Sequence, residues 1–275
     1  MRRSPHPVKK ETMYILPLPL VPTAIISLVL GLVLGSFYNV CIFRYLAGTS
    51  IVRPGSHCPG CGHVLAWWEN IPVFSYLLLG GKCRSCKTSI SLQYPLVELL
   101  SGVLALLLAL RFGLSATWLV YMILTGLLII GSFIDLHSFI LPDVITLPGA
   151  AIALAGSFLF PQGVVSSLLG ALAGSGLFLL IQQTYRLLRK IEGLGTGDIK
   201  LMLMLGAMTG WQGLPIMIFL SATTGLVISL AYLKKDKGLG MKTAIPFGPF
   251  LSMGALLYVL WGQQIWNLYL GMLTR

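Results

Sequence analysis

The sequence predicts an all-α polytopic membrane protein of about eight transmembrane helices, or seven, with a small cytoplasmic zinc-binding insert between the first and second spans. Three observations carry this reading. Of 275 residues, 56% are apolar and only 10% charged, with a mean hydropathy of +0.87. So few charges cannot cover a water-soluble surface, whereas lipid-facing helices need none. Uncharged runs long enough to cross a bilayer recur along the chain, and two Cys-x-x-Cys pairs fall together in the one long polar stretch that separates them.

Each span follows from an uncharged run. Thr12 to Phe43 gives 32 such residues. Arg2, Arg3, Lys9 and Lys10 precede it as they would a signal sequence, but the run far exceeds a signal core of roughly 7–15 residues and is expected to stay as the first span. The second span is expected over Tyr94–Leu110 and the third over Phe112–Ile134. The 42 residues of Val144–Tyr185 suffice for two helices, with a turn at Pro161-Gln162-Gly163. Leu201–Leu233 has 33, short for two full spans broken near Trp211–Pro215, so the first of these should begin before Leu201. Thr243–Thr274 supplies the last. The chain thus divides into a tail and first span (1–43), a four-cysteine insert (44–93) and a transmembrane core (94–275).

Orientation follows from Lys and Arg. With the insert in the cytoplasm, the segments on that side hold thirteen of the nineteen basic residues, from Arg44, Arg53, Lys82, Arg84 and Lys87 to Lys234, Lys235, Lys237 and Lys242. The N-terminal tail opposes this and the total supports it. The net charge of +11 is spread in short clusters between apolar runs, with no continuous basic face, which argues against a nucleic-acid partner.

Cys58-Pro-Gly-Cys61 and Cys83-Arg-Ser-Cys86 offer four thiolates from two tight knuckles, the arrangement tetrahedral Zn²⁺ prefers. Gly60 and Gly62 help the first knuckle turn. An insert of some fifty residues is too small for a large core, so a metal staple is physically sensible. Two disulfides or a redox pair are the alternatives; a reducing compartment disfavours the first and the paired spacing the second. Four cysteines leave no open position for water, so the role is structural. His57 and His63 adjoin a shell that is already complete, and Cys41 reads as a packed thiol.

The chain has eight acidic residues. Glu11, Glu192 and Asp236 are expected in solvated loops, and Glu69 on the surface of the insert. Glu98, Asp135, Asp143 and Asp198 border or enter apolar runs, where a carboxylate is a functional candidate. Asp135 closes the third run. Asp198 follows Gly195-Thr-Gly197 and opens another, where a helix N-terminus tolerates its charge and bare glycine backbone leaves room for an extended peptide. Two such carboxylates can share one proton, one acting as general base on water and the other polarising a scissile carbonyl. An isolated Gly-x-Gly-Asp would more simply cap a helix. A second membrane-edge aspartate 63 residues earlier on the same expected side favours catalysis. Asp143 follows Leu-Pro and precedes a helix, so capping is its expected role.

At this point the residues resemble a known family, the type IV prepilin peptidases. The resemblance rests on Gly35-Ser-Phe-Tyr-Asn39-Val-Cys-Ile-Phe-Arg44, the four cysteines, Tyr94-Pro-Leu-Val-Glu98, Ile134-Asp135 with Leu141-Pro-Asp143, Gly195-Thr-Gly197-Asp198-Ile-Lys200, and Pro246-Phe-Gly-Pro-Phe250. It implies a multi-pass protein of the cytoplasmic (inner) membrane that cuts the leader from type IV prepilins or pseudopilins at the cytoplasmic face. The same protein would then methylate the new N-terminus with S-adenosylmethionine. The resemblance makes Asp135 and Asp198 the catalytic pair, Cys58, Cys61, Cys83 and Cys86 the Zn²⁺ ligands, and Gly195 and Gly197 the motif glycines. Glu98 becomes a candidate for cofactor binding, and Asn39, Arg44 and Lys200 for leader or cofactor contacts. Methylation rests on resemblance alone, since no glycine-rich strand–turn–helix unit is present. Two other functions fit parts of the pattern: another Gly-x-Gly-Asp intramembrane protease, which would not need the cysteines, and a proton-coupled transporter, for which no inverted repeat is evident. A zinc-regulated sensor would require the aspartates to be silent.

Overall fold

The computed structural model describes residues 20–53, 55–190, 194–235 and 246–273. Glu11, Glu192, Asp236 and the basic residues of the N-terminal tail, with Lys237, Lys242 and Arg275, lie outside them. Helix α1 is Leu20–Leu46 and the short α2, inside the insert, Phe74–Leu78; α3 is Gln93–Phe112, α4 Ala116–Ser138 and α5 Asp143–Ala155. Then follow α6 (Gly163–Arg189), α7 (Thr196–Thr209), α8 (Leu214–Lys235) and α9 (Gly248–Leu273). Leaving α2 aside, eight α-helices remain among the described residues, where eight spans were expected. Among the described residues α1, α3, α4 and α6 are long and apolar enough to cross a membrane by length and composition. As expected, α7 begins before Leu201 and the Pro161–Gly163 turn separates α5 from α6.

Helices α5 and α7, of 13 and 14 residues, reach only about 20 Å at 1.5 Å per residue, short of a hydrocarbon core of about 30 Å. Their N-termini carry Asp143 and Asp198. Helix α7 is buried on every side from Leu201 to Thr209 except at half-buried Leu203, as an all-round apolar helix should be. Its neighbours come close because they present small residues. A Cβ on Gly170 of α6 would collide with the Gly206 carbonyl of α7, and the reverse substitution would strike Gly170. Likewise α1 lies on α3 where a Cβ on Gly35 would come within 2.7 Å of Glu98 Cα. Such contacts let backbones pack where lipid supplies no hydrophobic drive. The outward side chains of α1, among them Val21, Ile25, Val29, Val33 and Phe37, are exposed, as lipid contact requires.

The insert has no regular strand among its described residues, only the bridges His57–Val64 and Lys82–Ser89. Each bridge closes one cysteine knuckle. Cys58 N–H donates to His63 O and Cys83 N–H to Thr88 O, both at 2.9 Å. The two knuckles therefore repeat one design, with Gly62 (φ +71°) and Lys87 (φ +59°) at equivalent left-handed positions.

Candidate active site

The aspartates come from two helix ends. Asp135 lies one turn before the end of α4, is 5% exposed, and its backbone carbonyl accepts the closing bond from Phe139 N–H at 2.8 Å. Its Oδ2 accepts a hydrogen bond from Gly248 N–H at 3.2 Å. Gly248 is the first residue of α9, where a backbone N–H has no partner within its own helix and is free for an acceptor. A Cβ there would lie 2.7 Å from Asp135 Oδ2 and 3.0 Å from a Leu141 methyl. Sequence reasoning assigned Gly248 no role. It falls inside Pro246–Phe250, but only the fold brings its N–H to a residue 113 positions away.

Asp198 is half-buried in the first turn of α7. Gly195 precedes the helix as its cap residue, and a Cβ on it would meet Asp198 Oδ2 at 3.5 Å. Gly197 leans on Leu141, where a Cβ would come within 2.9 Å of the leucine Cβ. Leu141 therefore sits between Gly197 and Gly248, the neighbour of Asp198 and the partner of Asp135. Gln182 of α6 steadies the approach to α7 by donating from Nε2 to Leu194 O at 2.8 Å.

Two expected roles change here. Asp143 does not cap α5: Pro142 holds the cap position with no side-chain bond, and Asp143 begins the helix. Its carboxylate instead receives Lys200 Nζ at 2.7 Å on both oxygens, across 57 residues. The pair is half-exposed and contributes under about 1 kcal/mol, but it ties the start of α5 to the start of α7 beside Asp198. Lys200 thereby has a partner within the protein.

Asn39, Arg44 and Glu98 stand at the roots of the insert. Asn39 Nδ2 donates to Tyr94 O at 3.0 Å, and Arg44 Nη1 to Ser50 O at 2.9 Å and Ile51 O at 2.7 Å. Phe43 stacks on Tyr94 with centroids 4.7 Å apart. Glu98, 7% exposed, accepts from Val73 N–H at 2.7 Å. Val73 sits at φ +60°, ψ −46°, with Phe74 N–H bonded to Pro72 O at 2.6 Å. This is a strained γ-turn that a β-branched residue adopts only when held.

The four cysteine sulfurs lie within 4.8 Å of one another, with Cys58–Cys86 at 3.7 Å and Cys61–Cys83 at 4.0 Å. A tetrahedral Zn–S₄ shell with 2.3 Å bonds has sulfur edges of about 3.8 Å, so the donor set and its spacing fit a zinc ion. His57 turns to Gly55 O and His63 to Glu69, so neither ring is aimed at the sulfurs. Glu69 was expected at the surface and is buried instead. Its Oε2 accepts from Ala66 N–H at 2.9 Å and faces His63 Nε2 at 3.1 Å, while Oε1 lies 4.0 Å from Arg84. The Ala66 N–H, then His63, hold its carboxyl below the usual glutamate range. One carboxylate thus links both knuckles, a function no spacing rule reveals.

Residues 29–112 match the model of the bacterial peptidase A24 N-terminal domain, and residues 122–230 that of the type IV leader peptidase family. The chain is 36% identical over 268 residues to a prepilin leader peptidase/N-methyltransferase of Pseudomonas putida, covering 88% of this chain and 91% of that protein. Similar enzymes of Stutzerimonas stutzeri (39% identity, 89% and 92% covered) and Neisseria gonorrhoeae (38%, 88% and 92%) carry the same description. No solved structure matches. The chain belongs to the prepilin leader peptidase/N-methyltransferase family.

Proposed function

We propose that this protein cleaves the leader of type IV prepilins or pseudopilins at the cytoplasmic face of the inner membrane and N-methylates the product. Asp135 and Asp198 are the catalytic pair. The observation that supports this most is the meeting at Leu141 of Gly197, which precedes Asp198, and Gly248, whose N–H holds Asp135.

In this mechanism Asp135 is the base. Its Oδ2 accepts the Gly248 N–H, which fixes the plane of that carboxyl. Asp198 carries the shared proton. A water between them attacks the scissile carbonyl carbon, giving its proton to Asp135, while Asp198 protonates the carbonyl oxygen. Collapse of the tetrahedral intermediate breaks the C–N bond, with proton return to the departing amine. Exposed Gly195 leaves space for substrate backbone beside Asp198, while the bare backbone of Gly197 makes room for Leu141.

The cysteine cluster would hold zinc as a staple for the insert, and no step of cleavage runs through it. Zinc would supply cross-linking of the two knuckles. The methyl donor of such an enzyme is S-adenosylmethionine. The residues the resemblance offers for it hold contacts within the protein: Glu98, Asn39 and Arg44 bond Val73, Tyr94, Ser50 and Ile51, and Asn39 Oδ1 is buried without a partner. No step is therefore assigned to them, and Glu98 acts as a tether of the insert.

The test is incubation of the purified protein in lipid with a prepilin, with and without S-adenosylmethionine, and mass measurement of the product N-terminus. A leaderless product gaining one methyl group only with the donor supports the proposal. An uncut prepilin, or cutting inside the apolar segment of the substrate, contradicts it.

A further inference from the structure

The insert carries an apolar stripe that neither cleavage nor zinc binding uses. Within Trp67–Leu78, the side chains of Trp67, Trp68, Ile71, Phe74, Leu77 and Leu78 are all exposed, Trp67 at 76%, Leu77 at 69% and Leu78 at 71%. They lie on two short helical pieces, the 3-10 turn Trp67–Asn70 and α2, and on Ile71 in the bend between them. Two polar side chains of the segment, those of Glu69 and Tyr76, turn inward. Glu69 is buried against the knuckles, and Tyr76 donates its hydroxyl to Ile90 O at 3.4 Å.

Three features indicate what covers this stripe. Both ends of the insert run directly into membrane helices, α1 and α3. The middle of the segment is drawn down alongside α3, because Val73 N–H is held by Glu98, five residues into that helix and so about 7.5 Å along its axis. Leu92, just before α3, and Leu96 and Leu99 on it are also exposed. Finally, exposed Lys82, Arg84 and Lys87 follow in the second knuckle, where they complement anionic headgroups. Tryptophan pairs, an apolar side and adjacent bases are the marks of a segment lying in the headgroup layer.

We infer that the Trp67–Leu78 segment lies flat in the interfacial layer of the bilayer, its apolar stripe against acyl-chain ends and its polar side bearing the cysteine knuckles. The insert would then be a platform held at fixed depth by lipid on one side and by the Glu98–Val73 bond on the other, beside the membrane from which a substrate emerges.

Photo-crosslinking of the full-length protein tests this. The photoreactive residue p-benzoylphenylalanine replaces Trp67, Phe74 or Leu78 in turn, and Val52, 82% exposed and outside both the stripe and the knuckles, as the reference. The variants are irradiated in vesicles of phosphatidylethanolamine and phosphatidylglycerol, with and without a prepilin. Phospholipid adducts at the three stripe positions at least fivefold above Val52 are expected, with zinc content and cleavage retained. Adducts to a second copy or to prepilin in place of lipid, or a lipid yield equal to that at Val52, overturn the inference. Unlabelled protein gives an independent reading. Lipid brominated near the headgroup should quench native tryptophan emission, and W67F/W68F should lose part of that quenching; an unchanged quench likewise overturns the inference.

Discussion

The cysteine cluster and the aspartate cluster are built in opposite ways. Each knuckle is closed within six residues by its own backbone, Cys58 to His63 and Cys83 to Thr88, and the two need only be brought face to face. The aspartate site has no such local unit. Asp135, Leu141, Gly197, Asp198 and Gly248 come from the end of one helix, a loop and the starts of two others, and the hydrogen bond from Gly248 N–H to Asp135 spans 113 residues. A locally closed site tolerates disturbance elsewhere and fails when its own ligands go. A site assembled from helix ends depends on contacts far from its chemistry.

Five substitutions and one control break or sharpen that contrast. The largest effect is expected from Gly248→Ala. Its methyl would fall 2.7 Å from Asp135 Oδ2 and 3.0 Å from Leu141, and a displaced carboxylate costs about 10²-fold in rate. In a prepilin cleavage assay kcat should fall by about that factor with zinc content unchanged, while Gly176→Ala, where a Cβ meets nothing within 4 Å, should be silent. Glu98→Ala comes next. Loss of the bond to Val73 N–H frees the insert from α3 and exposes a buried donor, a cost of about 1–3 kcal/mol. Cleavage and methylation should fall together by about tenfold, as quantified by mass spectrometry of the product; loss of methylation alone would instead place Glu98 in the donor site.

Cys58→Ser should remove bound zinc, measured by elemental analysis, and lower cleavage by roughly tenfold or less, because the aspartates do not depend on the metal. The smallest effects separate the paired knuckle positions. Gly62→Ala places a side chain at φ +71° and should weaken the fold of the loaded insert by about 1 kcal/mol. Lys87→Gly, at φ +59°, relieves the same conformation and should cost nothing. Zinc release to a competing chelator, followed at equilibrium, reads both.

The same contrast explains what the sequence disclosed. Cysteine spacing is local chemistry, so the metal-binding set was legible from two short motifs. The uncharged runs revealed the number of helices, because the cost of charge in lipid is written residue by residue. They did not reveal that α5 and α7 are short, since a helix end inside an apolar run changes no charge. Asp198 announced itself through its glycines. Asp143 misled, because Leu-Pro-Asp looks like a helix cap and its actual partner, Lys200, lies 57 residues away. Glu69 misled for a similar reason: burial of a carboxylate in a small insert depends on His63 and Arg84 folding around it. Gly248 carried no chemical side chain at all, and only the tertiary structure gives its N–H a function.

The claim that Asp135 and Asp198 form one catalytic unit is tested most directly by comparing D135N, D198N and the double substitution in a single cleavage assay. Groups that act as a unit are grossly non-additive. Both single variants should retain normal zinc content and cut prepilin about 10⁴-fold more slowly than the wild type, and the double variant should be no slower than either. A single variant that keeps more than about a tenth of the wild-type rate, or a double variant whose loss is the product of the two single losses, would contradict the account.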